Sequence, residues 1–131
     1  MEMFSIKTSQ RTEMIDITSY VLKAVSESKV TDGICSIFVP HTTSAVTINE
    51  NADPSVPQDI VMQLNKVIPH NDNYRHAEGN SDAHIKTSLI GSSETIIVEG
   101  GRLVLGTWQS LFFCEFDGPR ARKFYVKVIK M

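Results

Sequence analysis

The chain has 131 residues, 41% of them apolar and 21% charged, with a formal net charge of -2. That length builds one domain (residues 1–131) around one core, and the composition is that of an ordinary globular protein. The slight negative charge and the lack of a basic block argue against a dedicated nucleic-acid binder, and no apolar run is long enough for a membrane span.

Residues Met1 to Lys7 lack the basic region and long apolar stretch of a signal peptide, so a cytoplasmic location is the expectation. Phe4, Ile6 and Thr8 alternate with Ser5 and Lys7, which predicts a strand. Ile15 to Ser28 reads as a helix, with Ile17, Val21, Leu22 and Val25 at helical spacing and Asp16 or Thr18 as cap. After Gly33, the run Ile34 to Val39 predicts a buried strand, and Ala45 to Ile48 its continuation or hairpin partner. Cys35 and Cys114 each sit in an apolar run and are expected to be buried free thiols; no CxxC pair supports a cysteine metal site.

Asp53-Pro54 opens a second helix whose buried face is Ile60, Val61, Leu64 and Val67, and Pro69 closes it. His70 to Asn80 is a long polar connection, and connections of that kind are often functional. Ser81 to Leu89 predicts a short helix capped by Asn80 or Ser81. From Glu94 onward the chain reads as β: Thr95 to Val98, Leu103 to Leu105, Ser110 to Phe116 and Lys123 to Ile129. Gly100-Gly101 and Asp117-Gly118-Pro119 supply two of the turns. This order predicts an α+β domain with a mainly antiparallel sheet and two or three helices.

The polar chemistry collects in a few blocks. His41 follows Pro40 at a strand end, which presents a side chain from a rigid base; taken alone, a histidine that bonds Thr42 or Thr43 and fixes the turn is the simpler reading. His76 and His84 lie on either side of Gly79, whose backbone freedom would let the chain fold back and bring them together. Imidazoles completed by carboxylate or water are a common shell for zinc and similar ions, and Glu78, Asp82, Glu50 and Asp53 are candidates for a fourth ligand or for orienting the rings. Glu50 is also a candidate general acid or base. For Asp53 a helix cap is the simpler reading. His70 has no partner at a telling spacing and reads as surface loop. Trp108 could stack on a heterocycle or fill a core or subunit contact. Arg120 is either a phosphate clamp or the partner of Glu115 or Asp117. No glycine-rich phosphate loop and no G-x-S-x-G is present.

Taken together, Pro40-His41-Thr42-Thr43, Asn49 to Pro54, His76 to Lys86, Leu105 to Gln109 and Cys114 to Arg120 closely resemble the YjbQ family of secondary thiamine-phosphate synthase enzymes, nearly end to end. The resemblance implies a sandwich-like subunit that assembles as a homotrimer, with a polar pocket close to the subunit contacts. It implies that His41, His76 and His84 gather there, with a divalent metal (zinc, nickel or magnesium). It implies that a hydroxymethylpyrimidine diphosphate is joined to a thiazole phosphate with release of pyrophosphate. Thr42, Asn80, Lys86, Trp108 and Arg120 are then candidate ligand-binding residues. Two rival readings remain. One is metal-assisted hydrolysis with Glu50 or Glu115 as base. The other is a non-catalytic module that binds a metal or a small phosphorylated ligand.

Overall fold

A computed structural model describes residues 1–131. In chain order the elements are β1 (Glu2–Lys7), β2 (Glu13–Asp16), α1 (Thr18–Ser28), β3 (Gly33–Phe38), β4 (Ser44–Glu50), α2 (Ser55–Val67), α3 (Ser81–Ile90), β5 (Ser93–Glu99), β6 (Arg102–Leu103), β7 (Gln109–Glu115) and β8 (Ala121–Lys130). All strand pairs are antiparallel. They make a five-stranded sheet ordered β1-β8-β3-β5-β6 and a three-stranded sheet ordered β2-β7-β4. The α+β class follows, with three helices.

The three-stranded sheet is covered on both faces, and β7 shows why. Leu111 and Phe113 face the larger core, which they share with Val21 and Val25 of α1, Cys35 and Ile37 of β3, and Phe124 and Val126 of β8. Phe112 and Cys114 point the other way and meet Ala45, Ala83 of α3 and, at the margin, Leu64 of α2. A strand between two apolar layers needs no polar face, so its sequence is a continuous apolar run instead of an alternating one. Each fully buried phenylalanine there contributes about 2–3 kcal/mol of transfer free energy. Both cysteines are buried and free, and burial pushes the thiol of Cys35 up to about 11 and that of Cys114 up to about 12.

Three expectations change. The face of α2 formed by Ile60, Val61, Leu64 and Val67 is not buried: none of the four is fully covered, and Val67 is 64% exposed. The first helix does not start at Ile15: Glu13–Asp16 is a strand, with Met14 opposite Cys114 and Ile15 opposite Phe113. Pairing along β7 overrides helical propensity there, and Asp16 Oδ1 then accepts the Thr18 amide at 2.9 Å to turn the chain into α1. Nor does β4 continue or pair with β3. Pro40 interrupts the run, and β4 crosses to the other sheet and pairs with β7, Ser44 opposite Glu115 through Glu50 opposite Gln109.

Two glycines are fixed by close approach. A Cβ at Gly33 would collide with the Ile129 carbonyl of β8. One at Gly118 would collide with the Gln10 carbonyl and sit 2.8 Å from the Thr8 hydroxyl and from the Glu115 side chain. The turn between β7 and β8 is thereby seated tightly on the end of β1, which positions the polar cluster described next. No helix is long and apolar enough to cross a membrane.

Candidate functional site

At the β7–β8 end the two sheets are joined by buried polar groups. Glu115 is fully buried and Arg122 is 6% exposed. Arg122 Nε donates to Glu115 Oε1 at 2.9 Å and Nη2 donates to Oε2 at 2.6 Å. Nη2 also donates to Thr43 Oγ1 at 2.8 Å, while the Thr8 hydroxyl donates to Glu115 Oε1 at 2.7 Å and the Asp117 amide to Oε2 at 3.1 Å. Burial alone would raise the Glu115 pKa, but the bonds from Arg122, Thr8 and Asp117 outweigh it and hold the carboxyl below the usual range. The cluster links β1 and β8 of one sheet to β7 and the start of β4 in the other.

His41 packs against this cluster. β3 pairs with β8 as far as Phe38 opposite Tyr125. Beyond that point the chain has left the ladder, and the Lys123 amide donates to His41 Nε2 at 3.0 Å instead of to a backbone carbonyl. That bond leaves the neutral ring with its proton on Nδ1. Burial, and after it the Arg122 charge, lower the His41 pKa, so the neutral ring is favoured.

Helix α3 supplies the opposite wall. Asp82 and Lys86, four residues apart, turn inward and are buried. His84 and Ser88 face outward, and Ala83 and Thr87 pack toward the sheet. Asn80 precedes the helix, 9% exposed; its Nδ2 donates to Asp117 Oδ2 at 2.9 Å, and its Oδ1 is buried without a partner. Arg120 donates to the same carboxylate at 2.9 Å and to the Asp117 carbonyl at 2.7 Å, so Asp117, not Glu115, is its ion-pair partner.

Between these walls lies a polar cleft of about 380 Å³, lined by His41, Thr42, Asn80, His84, Arg120 and Arg122 among others. His41, Thr42 and His84 also line an adjoining hollow of about 370 Å³, beside the unpartnered hydroxyl of Thr87. His76 and His84 share a third hollow, with ring centroids 5.4 Å apart and planes perpendicular. The structure thus brings His41 to His84 and His84 to His76, together with Thr42, Asn80 and Arg120.

The three imidazoles do not form a ligand set within one chain. His41 Nε2 already accepts an amide proton, and no three His, Cys, Asp or Glu side chains are grouped closely enough to share an ion. His76 and His84 could supply two donors, and other groups would have to complete the shell.

Other candidates lie elsewhere. Glu50 and Trp108 are at the far end of β4, about 20 Å from its His41 end at roughly 3.3 Å per residue. Trp108 is 63% exposed, against neither core nor cleft. Glu115 does not line the cleft. Lys86 is buried over the Phe116 ring, bonded to Asn65 and 3.6 Å from Asp82. Asp53 accepts the Ser55 amide at 2.9 Å, a helix-start role. His70 is more than surface loop, since its Nδ1 lies 3.2 Å from Asp82, which Arg11 also grips through two bonds at 3.1 Å. Burial raises the Asp82 pKa, but these partners outweigh it and bring the carboxyl down to about 2.

The family model described as UPF0047 protein YjbQ-like matches residues 2–131. A UPF0047 protein of Methanocaldococcus jannaschii is 62% identical, over 96% of this chain and 91% of its own. UPF0047 protein YugU of Bacillus subtilis is 51% identical, over 95% of each chain. Among solved structures, a YjbQ/UPF0047 family protein from Clostridium acetobutylicum superposes with a TM-score of 0.97 at 57% identity, covering 98% of this chain and 100% of that one. A YbjQ-like protein from Sulfolobus solfataricus gives 0.96 at 32% identity, covering 99% and 96%.

Proposed function

The chain belongs to the YjbQ-like UPF0047 family, and from that premise we propose that its cleft binds a small phosphorylated substrate and supports a thiamine-phosphate synthase-type transfer. In that reaction the C–O bond to the diphosphate of a hydroxymethylpyrimidine breaks, the electron pair leaving with pyrophosphate. The nitrogen of a thiazole phosphate donates its lone pair to the freed carbon, and thiamine phosphate results.

The observation that carries this reading is the chemistry of the cleft wall. Arg120, paired with Asp117, and Arg122, paired with Glu115, line the cleft with the Thr42 hydroxyl and the Asn80 amide, beside two imidazoles and the carboxylates of Asp117 and Glu78, in about 380 Å³. Guanidinium matches phosphate oxygens in charge and fork geometry, and the volume is within the range of small-molecule sites. A departing pyrophosphate needs such donors more than it needs a base. His41, neutral with its proton on Nδ1, is suited to donate a hydrogen bond to a phosphate oxygen. Because the histidines do not form a closed ligand set, no step here depends on a metal.

The hydrolase reading with Glu50 or Glu115 as base needs that carboxylate free to activate water. Glu115 is engaged by Arg122 and Thr8, and Glu50 is at the other end of the sheet. Glu78 lines the cleft, but it is 76% exposed and sits 3.7 Å from His76. Homotrimeric assembly belongs to the proposal as well; exposed Trp108, Met62, Val67 and Leu89 leave apolar surface for subunit contact.

The test is to supply both substrates and follow pyrophosphate and thiamine phosphate by mass, for wild type, Arg120→Gln and His84→Ala. Product from wild type, strongly reduced in both variants, is the expected result. Hydrolysis of a single phosphate ester would favour the hydrolase, and saturable uptake without turnover a binding module.

A further inference from the structure

Asn80, His84 and Thr87 are four and then three residues apart, so they form one row along α3, about 10 Å long at roughly 1.5 Å per residue. Asn80 lines the cleft, Thr87 lines the adjoining hollow, and His84 lines both. Each of the three has polar capacity to spare. Asn80 Nδ2 is engaged by Asp117, which fixes the amide and leaves Oδ1 buried without a partner. The His84 ring has no hydrogen-bond partner and meets the His76 ring edge to face. Thr87 is 8% exposed, and its hydroxyl is buried without a partner. A helix offers such a hydroxyl a carbonyl one turn back, and the neighbouring Ser88 takes that of His84. Thr87 does not. Buried polar groups are nearly always paired, so two orphans and a free imidazole in one row along one opening point to a ligand that supplies the partners.

The two ends of the row differ in charge. The cleft at the Asn80 end carries Arg120, Arg122, Glu78 and Asp117. The hollow at the Thr87 end is bounded by His41, Thr42, His84, Thr87, Ser88 and Ser92, with no Asp, Glu, Lys or Arg. An anion in that hollow would lose water without meeting a countercharge. No apolar side chain lines it either, so a hydrocarbon group would gain little there. Hydroxyls both donate and accept, which suits an uncharged ring with donors and acceptors on its edge. Asn80 Oδ1 can only accept, so it calls for an N–H or O–H and not for a phosphate oxygen. The row is long enough for one aromatic ring with a hydrogen bond at each end.

We infer that this row and its hollow form the subsite for an uncharged heterocycle of the aminopyrimidine kind, and that Thr87 is the residue that selects it. The exocyclic amino group donates to Asn80 Oδ1 and a ring nitrogen accepts from the Thr87 hydroxyl, while the diphosphate reaches across the cleft to Arg120. Threonine in a helix has two accessible rotamers, so the hydroxyl can turn to the ring. The inference rests on the proposed function and assigns the two halves of the pyrimidine substrate to their places.

Calorimetric titration with hydroxymethylpyrimidine diphosphate and, separately, inorganic pyrophosphate tests it, on wild type, Thr87→Val, Thr87→Ser and Arg120→Gln. Valine keeps the shape of threonine and removes a hydroxyl that has no partner, so Thr87→Val should melt no lower than wild type. The expected result is that wild type binds the pyrimidine diphosphate more tightly than pyrophosphate. Thr87→Val should weaken the pyrimidine ligand about tenfold and leave pyrophosphate unchanged, and Thr87→Ser should restore it. The analogue lacking the amino group should bind wild type about tenfold more weakly. Unchanged affinity in Thr87→Val would overturn the subsite, as would an equal loss of both ligands or a melting temperature several degrees lower. A pyrimidine ligand no tighter than pyrophosphate, with both weakened in Arg120→Gln, would overturn the subsite and leave the phosphate-binding cleft standing. Tight pyrimidine binding that depends on Thr87 but not on Arg120 would support the subsite and remove the cleft. No saturable binding of either ligand would overturn both.

Discussion

Arg122 holds Glu115 through two nitrogens at once, at 2.9 and 2.6 Å, with the carboxylate fully buried and the guanidinium nearly so. Removing either partner leaves an uncompensated charge inside the fold. Arg122→Leu should therefore lower unfolding stability by about 3–5 kcal/mol, measured by urea denaturation at neutral pH. A loss under 1 kcal/mol would mean that water reaches the pair and that it does not brace the two sheets.

The acid limb of stability should depend on Asp82. Its carboxyl is at about 2, depressed from 3.8, so its contribution is complete above the ordinary value and fades as pH falls toward 2. The gap corresponds to about 2 kcal/mol at neutral pH. Glu115 is shifted in the same direction and adds to the same limb. Melting temperature followed from pH 6 to pH 2 should fall steeply for wild type and less steeply for Asp82→Asn, which starts lower. Parallel curves would show that Asp82 is not the group being titrated.

Gly118→Ala is expected to cost about 1–3 kcal/mol through overpacking. The added methyl meets the Gln10 carbonyl and crowds Thr8 and Glu115. Because those groups position Arg122, pyrophosphate affinity should fall together with stability. A variant as stable as wild type would show that the turn can move away from β1.

His84 should behave differently. Its backbone is held in the helix, the amide donating to the Asn80 carbonyl at 3.2 Å and the carbonyl accepting the Ser88 hydroxyl at 3.0 Å, while its ring has no hydrogen-bond partner and lines the cleft. His84→Ala is expected to leave the melting temperature within a few degrees of wild type while substrate turnover drops by an order of magnitude or more. Unchanged turnover would remove His84 from the site.

Much of the fold could be read from residue patterns. The run Ser110 to Phe116 already marked a strand, and Gly100-Gly101 the tight turn between β5 and β6, where both glycines have positive φ. What escaped was decided by pairing at a distance. Ile15 has a helical neighbourhood, and only Phe113 across the sheet makes it a strand residue. The site shows the same division. His41 and His84 stood out as imidazoles at a strand end and a helix start and Arg120 as a guanidinium beside a tight turn, while Asn80 entered the site only through the family resemblance. For Arg122, nothing local indicates that its side chain turns inward or that Thr43, 79 residues away, accepts its bond. His70 was passed over for the same reason, as its partner Asp82 is reached only through the fold. Glu115 and Glu50 carried plausible chemistry by type, but one is buried in an ion pair and the other is at the remote end of its strand.

The division of labour around α3 bears on how the protein can change. One flank, Asp82 and Lys86, is tied into the interior, while the opposite flank, His84 and Ser88, is bound to little beyond its own helix. A residue-by-residue scan of the helix should accordingly give defects that alternate with the helical repeat. Variants on the first flank would lose stability, whereas those on the second would keep it, with altered catalysis or ligand preference. Chemistry on this scaffold can drift along one side of a single helix without endangering the fold, and selection for a new substrate would be expected to leave its marks there first.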